Sequence, residues 1–96
     1  MIEKKDHRYV VVVPMLIANA QGLLQAGRAL LGSETAVEIT IDLDQVNDAD
    51  SSALGVLFGL LRTAETCGKR ISVANPPPGL ISLAALYGVS DALPLA

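Results

Sequence analysis

The groups best placed to do chemistry are concentrated in Asn47-Asp48-Ala49-Asp50-Ser51-Ser52-Ala53-Leu54-Gly55. Two carboxylates and two hydroxyls stand there, where an alternating apolar pattern gives way to a helical one. The first turn of a helix offers free N–H groups and a partial positive charge, so it tolerates an anion, including a phosphoserine. Ser is also a preferred helix cap, worth about 1 kcal/mol, and plain capping is the simplest use of Ser51 or Ser52. Leu54 and Gly55 occupy the positions where a capping box needs Glu or Gln. Asp42, Asp44, Asp48 and Asp50 have a D-x-D rhythm, but the downstream Gly and Glu of a calcium loop are missing, so no metal site is expected. A serine nucleophile needs a base, and the single His7 sits in a charged N-terminal stretch. The glycines form neither G-x-G-x-x-G nor G-x-x-x-x-G-K-[ST], so nucleotide hydrolysis has no support and no cofactor is expected. Asn75-Pro76-Pro77-Pro78-Gly79-Leu80 has the composition of a polyproline ligand. The periodic Leu80, Leu83 and Tyr87 behind it favour a rigid lead into a helix.

Composition narrows the choices further. The chain has 96 residues, of which 51% are hydrophobic and only 18% charged. That is one domain of residues 1–96, with a folded surface of about 5,200 Å² from size scaling. Disorder requires the opposite balance of apolar and charged residues. The only aromatic residues are Tyr9, Phe58 and Tyr87, so the core is aliphatic. Net charge is −3, unevenly spread: Ala29 to Leu61 has no base and carries −6, and the rest of the chain carries +3. An acidic centre repels phosphate backbones, which excludes nucleic acid as a partner. No basic amphipathic face points to an anionic membrane surface. Cys67 stands alone, in keeping with a reducing compartment.

The elements that must hold the Asp-Ser-Ser turn follow from periodicity. Tyr9 to Val13 reads as a strand buried on both faces, stopped by Pro14. Ile17, Ala20, Leu23, Leu24, Gly27, Leu30 and Leu31 form the apolar stripe of a helix, with Asn19 near its cap and Gly32 at its end. Ala18-Asn19-Ala20 has the form of a signal-peptide cleavage site, but the helical period runs straight across it. Val37, Ile39, Ile41 and Leu43 alternate with polar residues, as do Arg70 to Ala74, which predicts half-buried strands. Between them a helix spans Ser52 to Cys67, with Leu54, Leu57, Phe58 and Leu61 buried and Gly68 as its stop. A third helix follows the prolines and ends at Gly88, and the apolar tail Asp91 to Leu95 packs back. The order β-α-β-α-β-α requires a mainly parallel sheet, with helices largely on one face.

A strand of the form Ile39-Thr40-Ile41-Asp42-Leu43, followed by Asp50-Ser51-Ser52-Ala53-Leu54-Gly55-Val56-Leu57 opening a helix, resembles the STAS domain family, which includes the anti-sigma factor antagonists. Val73-Ala74-Asn75-Pro76-Pro77 and Leu83-Ala84-Ala85-Leu86-Tyr87-Gly88-Val89 sharpen the resemblance. They are similar to the small STAS subunits of Mla-type phospholipid-transport ABC transporters, which maintain outer-membrane lipid asymmetry. The resemblance implies an α/β STAS-like fold with a mainly parallel mixed sheet. It implies a non-catalytic cytoplasmic subunit, without a cofactor or metal, peripheral to the inner membrane through its partners. Those partners would be the transporter's ATPase subunit and, indirectly, a membrane permease. Asp50, Ser51, Ser52, Ala53 and Leu54 would form the contact. In the antagonist branch the second hydroxyl receives phosphate, which maps onto Ser52, with Ser51 beside it. The family usually begins with two strands, so residues 1–8 are expected to be a flexible tail or a truncated first strand.

Overall fold

A computed structural model describes residues 1–96. The chain runs β1 (Ile2–Lys5), β2 (Arg8–Val11), α1 (Ile17–Ser33), β3 (Glu38–Asp42), α2 (Ser52–Thr66), β4 (Arg70–Ala74) and α3 (Pro78–Leu86), closing with a 3-10 turn at Ser90–Ala92. The strands form one sheet in the order β1-β2-β3-β4. β1 pairs antiparallel with β2, whereas β2 with β3 and β3 with β4 are parallel. The mixed, mainly parallel sheet agrees with expectation, and of the two alternatives for residues 1–8 the short first strand holds and the flexible tail does not. The hairpin is closed by Asp6 at φ 61, a left-handed conformation that Asp tolerates better than most residues.

Tyr9, Val11, Ile39, Ile41, Ile71 and Val73 point to one face of the sheet and are buried. Arg8, Glu38, Thr40, Arg70 and Ser72 point to the other and remain at least partly exposed. This alternation places the helices over one face. The accessible surface is 5131 Å², close to the size expectation. The outer edge of β4 is blunted by the C-terminal tail: Val73 N–H donates to Pro94 O (2.8 Å) and Ala96 N–H to Val73 O (2.9 Å). Leu93 is buried beneath it.

Several boundaries differ from the sequence reading. α1 begins at Ile17 and runs through Gly32, so Asn19 lies inside it and donates to Pro14 O (2.8 Å). Ile17 is 74% exposed and contributes nothing to the buried stripe. Tyr87 is 58% exposed at the end of α3. Gly68 (φ 71) and Gly88 (φ 69) do adopt the left-handed conformation that ends a helix. α1 and α2 approach closely through two glycines, Gly27 against Leu60 and Gly59 against Leu24.

Two polar groupings tie the frame together. The Tyr9 hydroxyl, from inside the sheet, donates to Glu34 Oε1 (2.7 Å) at the end of α1. The other Glu34 oxygen accepts the N–H groups of Thr35 and Ala36 (both 3.0 Å). These bonds, that of Ala36 foremost, hold the Glu34 carboxyl down at about 2, and burial with the Glu34 contact pushes the Tyr9 hydroxyl well up. On the open face, Asp42 accepts from Arg8 Nε (2.9 Å), Asn75 Nδ2 (3.0 Å) and Asp44 N–H (3.0 Å). Burial pushes the Asp42 carboxyl up, but these donors together outweigh it and keep the group below its usual range.

Candidate functional site

The Asp50-Ser51-Ser52 turn is fixed from two sides. Its approach, Asp48 to Asp50, runs beside Met15 as a short parallel bridge. Met15 N–H donates to Asp48 O (2.9 Å) and Asp50 N–H to Met15 O (3.1 Å). The Asp50 side chain then joins the starts of two helices. Its Oδ2 accepts Ile17 N–H, the first of α1 (3.0 Å), and its Oδ1 accepts Ser52 N–H, the first of α2 (2.9 Å). The Ser52 hydroxyl donates to the same Oδ1. Helix starts leave N–H groups unpaired and carry partial positive charge, so a carboxylate between two of them satisfies both. The hydrogen bond from Ser52, then that from Ile17, holds the Asp50 carboxyl below its usual range.

This geometry reassigns the cap. Ser51 and Ser52 were expected to cap α2, yet Ser51 makes no side-chain cap bond. Asp50 does that work, which leaves Ser51 exposed. Ser52 is half-buried, with its hydroxyl turned to Asp50. Ala53 (0% exposed) and Leu54 (6%) belong to the hydrophobic core, so they support the site from beneath. Of the five residues expected to make contact, Ser51 alone presents itself freely to a partner.

Residues from two other elements complete the surface. Ser51, just before α2, and Leu54 and Phe58 of α2 share a shallow open groove with Tyr87 and Val89, which follow α3. Ile17 is carried to the same end of the molecule by its bond to Asp50. The sequence reading put Phe58 in the buried stripe of α2, whereas it is half-buried and lines this groove. The inclusion of Tyr87 and Val89 depends on tertiary packing.

The groups considered for metal or catalysis are not brought together. No cluster of three or more His, Cys, Asp or Glu side chains occurs. His7 lies in the β1–β2 turn against Asp6, away from both serines. No helix is long and apolar enough to cross a membrane.

A mixed, mainly parallel sheet with helices over one face presents an Asp-Ser-Ser turn at a helix start. A family model described as "Mlab, STAS domain" matches residues 10–95, and the chain belongs to that STAS family. Among solved structures it is similar to the anti-sigma factor antagonist SpoIIAA in its unphosphorylated form, with TM-score 0.74 and 16% identity, covering 100% of this chain and 86% of that one. It is also similar to the phosphorylated form of the Bacillus cell fate determinant SpoIIAA, with TM-score 0.69 and 16% identity, covering 100% and 89%. An anti-sigma-factor antagonist (STAS) domain protein from Planctomyces limnophilus matches with TM-score 0.76 and 12% identity, covering 99% and 86%. At these identities the likeness is one of fold. No curated protein sequence matches the chain.

Proposed function

We propose that this chain is a non-catalytic, cytoplasmic STAS subunit that docks on the ATPase of an Mla-type phospholipid-transport ABC transporter and supports its activity. The reading rests on the Mlab-type family match over residues 10–95. The shape of the site agrees with docking: one free hydroxyl, Ser51, beside an apolar groove, held on a frame that Asp50 makes rigid. A nucleophile would need a base to take its proton, and Ser51 has none within hydrogen-bonding reach. Contact with the permease is indirect, through the ATPase. Co-expression with the cognate ATPase tests the reading: a co-purifying complex with raised ATP hydrolysis is expected. Failure to co-purify from cells making both proteins contradicts it.

A second reading, an anti-sigma factor antagonist switched at serine, draws on the fold neighbours and on one feature of the turn. The Ser52 hydroxyl donates to Asp50. A phosphate there would remove that donor and set about two negative charges against the carboxylate that joins α1 to α2. Such a group would change the local surface sharply. Incubation with a switch kinase and ATP tests this reading through a mass gain of about 80 Da, one phosphoryl group, that is lost in Ser52→Ala.

A further inference from the structure

The composition of the surface around Ser51 goes further than its position. Ile17 and Tyr87 are 74% and 58% exposed, and Leu86 is 77% exposed next to Tyr87. An apolar groove left open to solvent is a common mark of an interaction site. Tyr87 lines the groove with Leu54, Phe58 and Val89, Leu86 precedes it in the chain, and the Ile17 N–H is tied to the same turn by Asp50.

The charges nearest Ser51 and Val89 along the chain are carboxylates. The turn contributes Asp48 and Asp50, and Asp91 follows Val89 in the closing 3-10 turn, whose Ala92 N–H donates to Val89 O (3.0 Å). No Lys or Arg occurs from Ala29 to Leu61 or anywhere after Arg70. The nearest base along α2, Arg62, lies a full turn beyond Phe58, with Glu65 behind it. Asp48 and Asp91 are both exposed and have no ion-pair partner.

From the apolar groove and its acidic border we propose that this face binds an amphipathic helix of a partner protein whose apolar stripe is flanked by Lys or Arg. Charge complementarity selects this occupant. An anionic membrane or a nucleic acid would meet carboxylates, and a second copy of the chain would bring acidic border against acidic border. The apolar side chains would supply affinity, and the carboxylates orientation and encounter rate. The inference rests on docking through the start of α2 and names the chemistry of what docks.

The test uses two synthetic peptides of about 18 residues, five helical turns, each with a leucine stripe. One is flanked by Lys and the other by Glu. Binding is read by fluorescence anisotropy and located by amide NMR shifts on the full chain. The Lys peptide is expected to bind, with shifts at Ile17, Ser51, Gly55 and Tyr87. The charge-reversed pair Asp48→Lys with Asp91→Lys should weaken it about tenfold or more, as should Tyr87→Ala. Raising the salt from about 50 mM to about 500 mM should weaken it several-fold. All the substituted side chains are exposed, and thermal unfolding verifies that each variant folds. Equal binding of the Glu peptide, shifts on another face, or a dimer that forms through this face overturns the proposal. The cognate ATPase separates the two claims. If it co-purifies undiminished with Tyr87→Ala and with the charge-reversed pair, the proposal fails and the docking reading stands. If the peptide binds this face but no ATPase does, the docking reading fails and the surface chemistry stands.

Discussion

Replacing Gly27 by Ala is a sharp probe of how the two long helices meet. Gly27 lies buried on α1 where α2 crosses it. A Cβ added there would stand 2.5 Å from Leu60 Cδ2, 3.0 Å from Cδ1 and 3.3 Å from Cγ. Leu60 is 2% exposed, so it cannot swing into solvent to make room. Two effects oppose each other. Ala is favoured over Gly inside a helix by about 1 kcal/mol. Overpacking a well-filled core costs typically about 1–3 kcal/mol. The clash therefore wins, with a net loss of about 1 kcal/mol, which for a domain of this size lowers Tm by about 4–8 °C. Gly55 is the control: it is helical and exposed, and a Cβ there meets nothing within 4 Å. Only the propensity effect remains, so Gly55→Ala should raise stability by about 0.5–1 kcal/mol. Gly59→Ala should fall between them, since its Cβ would meet Leu24 Cδ1 at 2.7 Å but Cγ only at 3.7 Å, and Leu24 is half-buried. Calorimetry on the three variants reads the order directly. Combining Gly27→Ala with Leu60→Ala should cost less than the two changes separately, because the second removes the atoms the first would strike. A Gly27→Ala protein that melts as high as Gly55→Ala would refute this account of the helix crossing.

Three further outcomes follow from the site and its frame. The Glu34 carboxyl is held at about 2, below its ordinary value of 4.5, so it stabilises the fold above pH 4.5 and that contribution is lost as pH falls toward 2. Chemical denaturation across that window should show a shallower acid dependence in Glu34→Gln and in Tyr9→Phe than in the wild type. Tyr9 has the opposite sign: its hydroxyl is raised above 10.0, so the stability it adds is present below pH 10 and declines above it, and Tyr9→Phe should flatten the alkaline limb. Asp50→Ala removes the acceptor shared by α1 and α2, and hydrogen exchange at the Ile17 and Ser52 amides should quicken together, while Ser51→Ala leaves both unchanged. Quickening at only one of the two would mean that Asp50 does not couple the helices.

Much of the fold was legible because its patterns are local. The alternation in Ile39-Thr40-Ile41-Asp42 and in Ile71-Ser72-Val73 fixed two strands, and Gly68 and Gly88 marked two helix ends by conformations that only Gly adopts freely. The signals that misled were also local. Ile17 fits the helical period of α1, but it lies in the first turn and is left in solvent. Gly32 resembles a stop, yet the helix continues one residue further, and Glu34 completes it by folding its carboxylate back on the next two N–H groups. Between the two alternatives for residues 1–8, tail or short first strand, the local pattern could not choose, because an edge strand rich in charge has no apolar alternation.

The candidate site was legible in position and obscure in working detail. The Asp50-Ser51-Ser52 motif marked the right turn. Its division of labour, with Asp50 capping two helices, Ser52 turned inward and Ser51 free, depends on Ile17, more than thirty residues earlier in the chain. No local pattern encodes that contact. The same holds for Tyr87 and Val89, which reach the groove only because α3 packs beside α2.

The central claim is that the surface around Ser51 docks an ABC-transporter ATPase, and binding of the cognate ATPase to wild type and to Ser51→Lys tests it most directly. Ser51 is exposed and makes no cap bond, so the substitution should leave Tm nearly unchanged. In the wild type a stable complex is expected. In Ser51→Lys a long charged side chain enters the contact and affinity should fall about tenfold or more. Undiminished binding by a folded Ser51→Lys protein would contradict the account.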